Sequence, residues 1–181
     1  IMHRESQRMA RLIDDLLSLT RVEINEHVPP RQAVDVLRSV NNVIEALGPQ
    51  AAKINITFNV DCEPNLPKAI ADSDQLHQVF RNLMENAIKY GGENHPISVT
   101  LRRIDRIPGS ARPGVSIAIA DQGPGIPKEL IPRLTERFFR VDDARSNTSE
   151  TGIGSTGLGL AIVKHIISRH RGHLSAQSVI G

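Results

Sequence analysis

The segment Asn82-Leu-Met-Glu-Asn86-Ala-Ile-Lys89-Tyr90 sits inside a helical pattern that begins at Ser73 or Asp74. Leu76, Val79, Phe80, Leu83, Met84 and Ala87 recur at helical spacing and form its inner side. Asn82, Asn86, Lys89 and Tyr90 fall at i, i+4, i+7 and i+8, so the four share one face of the same helix. Asparagine is a middling helix former, and two of them four residues apart gain the helix little. A carboxamide oxygen is a hard ligand suited to Mg²⁺, a cation that keeps waters and leans on substrate phosphates. Lys89 adds a point positive charge nearby. A merely solvated polar face would carry the same residues, so this segment alone leaves both readings open.

Outward from it the chain alternates elements. On the N-terminal side, Asp35 caps an expected helix to about Ala52. Ile54, Ile56, Phe58 and Val60 alternate as a strand, and residues 68–72 form a second, short one. On the C-terminal side, Ile97, Val99 and Leu101, then Val115, Ile117 and Ile119, give two strands separated by a Pro/Gly turn. Residues 122–156 show little periodicity, and irregular stretches of that length in compact domains are functional or disordered. A helix from about Gly157 to His170 and a last strand near 173–179 complete the pattern. The fold class is α+β, a mixed sheet with helices on one face. It is preceded by one long helix, Met2–Val22, whose broad apolar stripe (Met2, Met9, Leu12, Ile13, Leu16, Leu17, Leu19) suits a helix bundle. Arg4, Arg8, Arg11 and Asp15 flank that stripe. Pro29-Pro30 places a boundary near residues 26–30. Simple packing of this helix on the following domain is the other reading.

Composition narrows the function classes. The 181 residues suffice for one domain and a modest extra element. Net charge is +2, and aromatic residues make up 3% with no Trp. A nucleic-acid binder needs a basic stripe with stacking aromatics, and neither is present. The single cysteine, Cys62, excludes an intramolecular disulfide. No apolar run approaches the roughly 18 residues of a membrane span, and Ile1 opens no secretory signal.

Two further clusters carry chemistry. Asp121-Gln-Gly123-Pro-Gly125-Ile126-Pro127 directly follows the strand ending at Ala120. Its glycines and prolines turn the chain sharply with little bulk, leaving a carboxylate at a strand end beside an opening. A plain turn would look the same. Gly152-Ile-Gly154-Ser-Thr156-Gly157-Leu158-Gly159-Leu runs straight into a helix, where backbone N–H groups and the helix N-terminus favour phosphate. It is neither a Walker A loop nor a dinucleotide-binding fingerprint.

In this order and spacing the three clusters resemble the catalytic, ATP-binding domain of sensor histidine kinases. That domain belongs to the superfamily that includes gyrase, Hsp90 chaperones and MutL. The helix at 74–90 resembles the N box, Asp121–Gly125 the first glycine box, Arg137-Phe138-Phe139-Arg140 the F box, and Gly154–Leu160 the second glycine box. The likeness runs from about residue 30 to the end. It extends to Glu5–Leu19, similar to the second helix of the dimerisation and phosphotransfer hairpin. The resemblance implies a two-layer α/β sandwich of the Bergerat type over 29–181, with 1–28 as that hairpin helix. It implies ATP and Mg²⁺ as ligands. Asn86 would coordinate the metal with Asn82 assisting. Lys89 would contact phosphate, and Tyr90 the nucleotide. Asp121 would accept the adenine amino hydrogen bond, and Gly125 would leave room for the purine. Gly123, Ile126 and Phe138 would line the pocket, with Arg140 at the γ-phosphate. Thr156, Gly157, Leu158 and Gly159 would offer the phosphate end, under a mobile cover at about 137–156. Asn86, Lys89 and Arg140 are the expected catalytic residues.

Departures from the family pattern matter. None of the seven histidines lies in a phosphoacceptor motif. The acceptor hairpin is therefore expected upstream of Ile1, and a closing strand beyond Gly181. The resemblance implies autophosphorylation on that histidine in a homodimer, then transfer to the receiver domain of a response regulator. It implies a cytoplasmic portion of an inner-membrane sensor. Met9–Leu19 and His27-Val-Pro-Pro are similar to phosphate-starvation sensor kinases. A hydrolysing machine of the same fold needs a carboxylate where this chain has Asn82, and an amide cannot take that proton. A nucleotide-free interaction module is the remaining alternative.

Overall fold

The computed structural model describes residues 2–24, 28–141 and 156–180. In chain order its elements are α1 (Met2–Ile24), β1 (Gln32–Val34), α2 (Val36–Ala52), β2 (Phe58–Cys62), β3 (Ala69–Ala71), α3 (Ser73–Tyr90), β4 (Ile97–Ile104), β5 (Gly114–Ala120), a 3₁₀ turn at Ile131–Arg133 and α4 (Gly159–Arg169). β2, β4 and β5 form a mixed sheet, with β2 parallel to β4 and β5 antiparallel to it. Val99 opposes Ile119 and Leu101 opposes Ile117. This face is apolar on both strands and turns to the helices, with Ile97, Val99 and Leu101 buried. On the other face Ser98 opposes Ala120 and Arg102 opposes Ser116. One-sided burial of this kind fixes register, because a one-residue slip would expose the whole apolar set. α3 lies between α2 and α4 and touches β5. Phe80 and Met84 of α3, Val40 and Val43 of α2, and Ile162 and Ile166 of α4 make the centre of the core. The α+β architecture with one mixed sheet and helices on one face stands as expected.

Two helices start on aspartate caps. Asp35 accepts from Arg38 N–H at 3.0 Å and Asp72 from Gln75 N–H at 3.2 Å, each satisfying a donor the helix leaves orphaned. The cap of α3 is thus Asp72, with Ser73 its first helical residue. α4 begins at Gly159, two residues later than the pattern predicts.

Two expectations about strands need correction. The alternation at Ile54 and Ile56 is no strand. The N–H groups of both donate to Ala51 O at the end of α2, with Asn55 at φ 54° between them. That hook buries Ile56, and sheet pairing starts only at Phe58 opposite Ile97. Residues 173–179 also form no strand, since β5 pairs only with β4 among the described residues. Val179 is 87% exposed. Alternation is local, whereas a strand exists only where a partner edge completes its ladder. Conversely, β1 goes unnoticed in the sequence. Three residues carry no period, and its antiparallel partner β3 lies 37 positions away at Ala33↔Ile70.

α1 is half docked. Leu19 and Val22 are buried, and Leu12 packs against the core at their side, on the side that meets α4. Ile13 at 56% and Leu17 at 52% face outward with Met9 and Leu16. One strip of this helix therefore packs on the domain, and the rest of the stripe stays open. The expected cover over 137–156 falls largely on residues 142–155, outside the described residues.

Candidate nucleotide site

The end of α3 and the loop after β5 meet so closely that only glycine fits. A Cβ on Gly123 would stand 2.3 Å from Tyr90 O, and one on Gly91 2.8 Å from Asp121 Cβ. These are backbone or stem atoms that cannot swing aside, so the contact fixes Asp121 beside Tyr90. Asp121 is exposed at the strand end, and its Oδ1 accepts from Gly123 N–H at 2.9 Å, closing a tight Asx turn. Gly125 has φ 78°, and its missing Cβ makes room for the backbone of Val179 at 2.2 Å. The neighbour of Gly125 in this structure is thus the C-terminal segment, with Ile126 N–H donating to Ser178 Oγ at 2.8 Å.

On the far side, Gly159 opens α4 against Asn82, where a Cβ would lie 3.4 Å from Asn82 Oδ1. Gly157, at φ 71°, accepts from Phe138 N–H at 2.9 Å. A Cβ there would strike the Phe138 backbone at 2.8 Å. Phe138 itself has φ 63°, a strained conformation for a bulky side chain, and its ring is exposed. Leu158 is buried and anchors the start of α4, which has no side-chain cap. Phe138, Gly157 and Asn82 thus converge on one helix N-terminus.

Among the described residues, three buried side-chain nitrogens lack a hydrogen-bond partner: Asn82 Nδ2, Lys89 Nζ and Arg140 Nε. All three are donors, and two carry full positive charge. Lys89 Nζ stands 4.8 Å from the Tyr90 ring centroid, a cation–π contact that orients the ammonium. Buried polar groups without partners cost stability, so such a cluster points to a ligand. Unmet donors of this kind suit an acceptor-rich anion. A fourth unpartnered atom, Gln75 Oε1, is an acceptor in the first turn of α3. Asn86 is half-buried on the same face of α3. The carboxamide oxygens of Asn82 and Asn86 are the hard donors present for a divalent cation.

Comparison with known proteins decides the family. The sequence model of the histidine kinase-, DNA gyrase B- and HSP90-like ATPases matches residues 71–181. The chain belongs to this family. Its curated relatives are sensor histidine kinases. It is 34% identical over 99% of its length to the phosphate regulon sensor protein PhoR of Pseudomonas aeruginosa, covering 38% of that protein. It is 36% identical over 98% of its length to the sensor-like histidine kinase SenX3 of Mycolicibacterium smegmatis, covering 43% of it. The chain therefore spans about two-fifths of these curated relatives. The crystal structure of full-length ShkA in complex with AMPPNP superposes with a TM-score of 0.73, 26% identity, over 94% of this chain and 34% of that one.

Within the family frame, the structure brings together Asn82, Asn86, Lys89, Tyr90, Asp121 and Gly123 along one side. Phe138, Gly157, Leu158 and Gly159 meet on the other. Sequence reasoning overlooked the acidic contacts from α1. Asp15 Oδ2 accepts from Thr156 Oγ1 at 2.6 Å, and Glu23 pairs with Arg137. Burial pushes the Asp15 carboxyl above the usual aspartate range. The Thr156 hydrogen bond pulls the other way, and Glu85 and Asp14 add to the rise. The one available signal is that Asp15 borders an apolar stripe. Nothing local says that the stripe turns it toward a residue 141 positions later.

Proposed function

We propose that this domain binds Mg-ATP between α3, the loop after β5 and the N-terminus of α4. In the whole protein it would pass the γ-phosphate to a histidine outside this chain, and thence to a response-regulator aspartate. The observation that carries this reading is three buried, unpartnered donors among the described residues, of which Asn82 lies beside the glycine-lined N-terminus of α4 and Lys89 follows on the same face of α3. Lys89 and Arg140 would neutralise phosphate charge. The amide oxygens of Asn86 and Asn82 would hold the magnesium ion. Asp121 would accept from the adenine amino group, and Tyr90 would flank the base. Phosphoryl transfer asks chiefly for positioning and charge neutralisation, and these residues supply both. ATP supplies the group transferred.

Residues 1–28 fit the second helix of a dimerisation hairpin, since α1 leaves most of its apolar stripe open. The assembled kinase is then a homodimer on the cytoplasmic side of a membrane sensor. The match to PhoR supports a phosphate-starvation sensor. Hydrolysis by the chain alone should stay near background, because the amide of Asn82 cannot accept a proton from water.

Calorimetric titration of Mg-AMPPNP into the parent chain and an Asp121→Asn variant tests the pocket. Saturable binding is expected in the parent, with a loss of about 1–3 kcal/mol in the variant, the range for a buried hydrogen bond left unmet. A folded parent that shows no saturation removes the reading.

A further inference from the structure

Helix α1 reaches the site through a carboxylate. Thr156 Oγ1 donates to Asp15 Oδ2 at 2.6 Å and accepts from Leu158 N–H at 3.3 Å. The hydroxyl is thus fully engaged, and its proton goes to α1. Leu158 is the residue on which α4 starts, and no side chain caps that helix. A negative charge beside a helix N-terminus is favourable, and it competes there with any other anion. Beyond Gly159 lies Asn82, whose Nδ2 has no protein partner.

The neighbours of Asp15 do not cancel its charge. Glu85 and Asp14 add negative charge, and Arg81, which faces it, is bonded to Glu85 at 2.8 Å. Three more contacts hold α1 in place: Gln78 Nε2 donates to Ser18 Oγ at 2.6 Å, and Glu23 joins Arg137 and lies 3.5 Å from His165 Nε2.

We propose that docked α1 opposes nucleotide binding, with Asp15 acting as a built-in acidic competitor of the phosphates at the N-terminus of α4. This deepens the reading given above and rests on it. Coupling of this kind is reciprocal, so bound nucleotide must loosen α1 by the same factor by which α1 weakens nucleotide.

The test uses the chain as it stands. Mg-AMPPNP is titrated into the parent and into the Asp15→Asn and Asp14→Asn variants, and amide hydrogen exchange of α1 is followed with and without the analogue. Asn at 15 keeps an acceptor for Thr156 and removes only the charge. Asp14 is exposed and one residue away, so its variant controls for net charge. Asp15→Asn is expected to tighten the analogue by about three- to tenfold, the size of a screened Coulomb interaction. Asp14→Asn should leave it unchanged. In the parent, the analogue should speed exchange across residues 12–24. Unchanged or weaker binding in Asp15→Asn overturns the proposal, as does equal tightening in Asp14→Asn, or slower α1 exchange in the parent with analogue bound. These results leave the nucleotide reading intact, because the parent binds. A parent that is folded by circular dichroism and binds nothing overturns both.

Discussion

Lys89 shows at a single residue how this site trades stability for affinity. Its ammonium is buried without a hydrogen-bond partner and rests over the Tyr90 ring. A stem of the same length without charge would pack there at lower cost. Lys89→Met is therefore expected to raise the stability of the ligand-free domain by about 1 kcal/mol, the order of one unmet buried donor. The same variant should weaken Mg-AMPPNP at least tenfold, a loss of about 1.4 kcal/mol. Thermal melts with and without analogue read both effects together. A melting temperature that falls without ligand would show that the ammonium is satisfied in the free protein. Asn82, Asn86, Lys89 and Tyr90 were legible as a set because one helix face is a matter of spacing alone. The unpartnered state of three donors was not, since it depends on what every neighbouring element fails to offer.

Among elements, the junction of α3 and α4 sets the position of the N box. Asp72 accepts from Gln75 N–H at the start of α3 and pairs through Oδ2 with Arg169 Nη1 at 3.2 Å. Its own N–H donates to His170 Nε2 at 3.0 Å. Asp35 caps α2 by its side chain without such a second tie to another helix. Asp72→Ala should therefore cost about 2 kcal/mol and Asp35→Ala about 1 kcal/mol, the upper and middle of the range for lost caps. Chemical denaturation midpoints measure both, and equal losses would show that α4 adds nothing to the cap.

His170 makes the same junction sensitive to acid. Its Nε2 must stay unprotonated to accept from Asp72, while Nδ1 lies 2.7 Å from Ile166 O. Burial pushes the His170 pKa below its ordinary value of 6.5, against the opposing pull of the Ile166 carbonyl. The unfolded chain then takes up the proton more readily than the folded one. The stability linked to the neutral ring is whole above about 6.5 and is lost as pH falls below it. Melting temperature should drop between pH 7.5 and 5.5, and His170→Gln should flatten that drop. An identical pH profile in the variant would place the sensitivity elsewhere. The helices themselves were legible from caps and periodicity, but this junction joins residues 98 positions apart, and no local pattern announces it.

At the scale of the whole molecule, α1 is the element whose role depends most on context. Leu19 is 1% exposed against the domain, and Leu17, on the same apolar stripe, is 52% exposed. Leu19→Ala should therefore cost about 2–4 kcal/mol, the range for a buried leucine. Leu17→Ala should stay within about 0.5 kcal/mol. Guanidinium unfolding read by circular dichroism separates them. Two small, equal effects would mean that α1 folds apart from the domain.

The sequence by itself determined the α+β class, the N-cap of α2, the core faces of α3 and β4, and three clusters whose order resembles one family. All of these rest on local spacing, which a chain carries along its length. Only the tertiary structure decided that Ile54 and Ile56 hook the end of α2, and that residues 173–180 run unpaired past Gly125. The same is true of Asp15 reaching Thr156. Each of these depends on which distant backbone edge or side chain arrives beside it. A ladder partner, an unmet donor or a long-range carboxylate contact is a property of the packed arrangement, and periodicity holds no record of it.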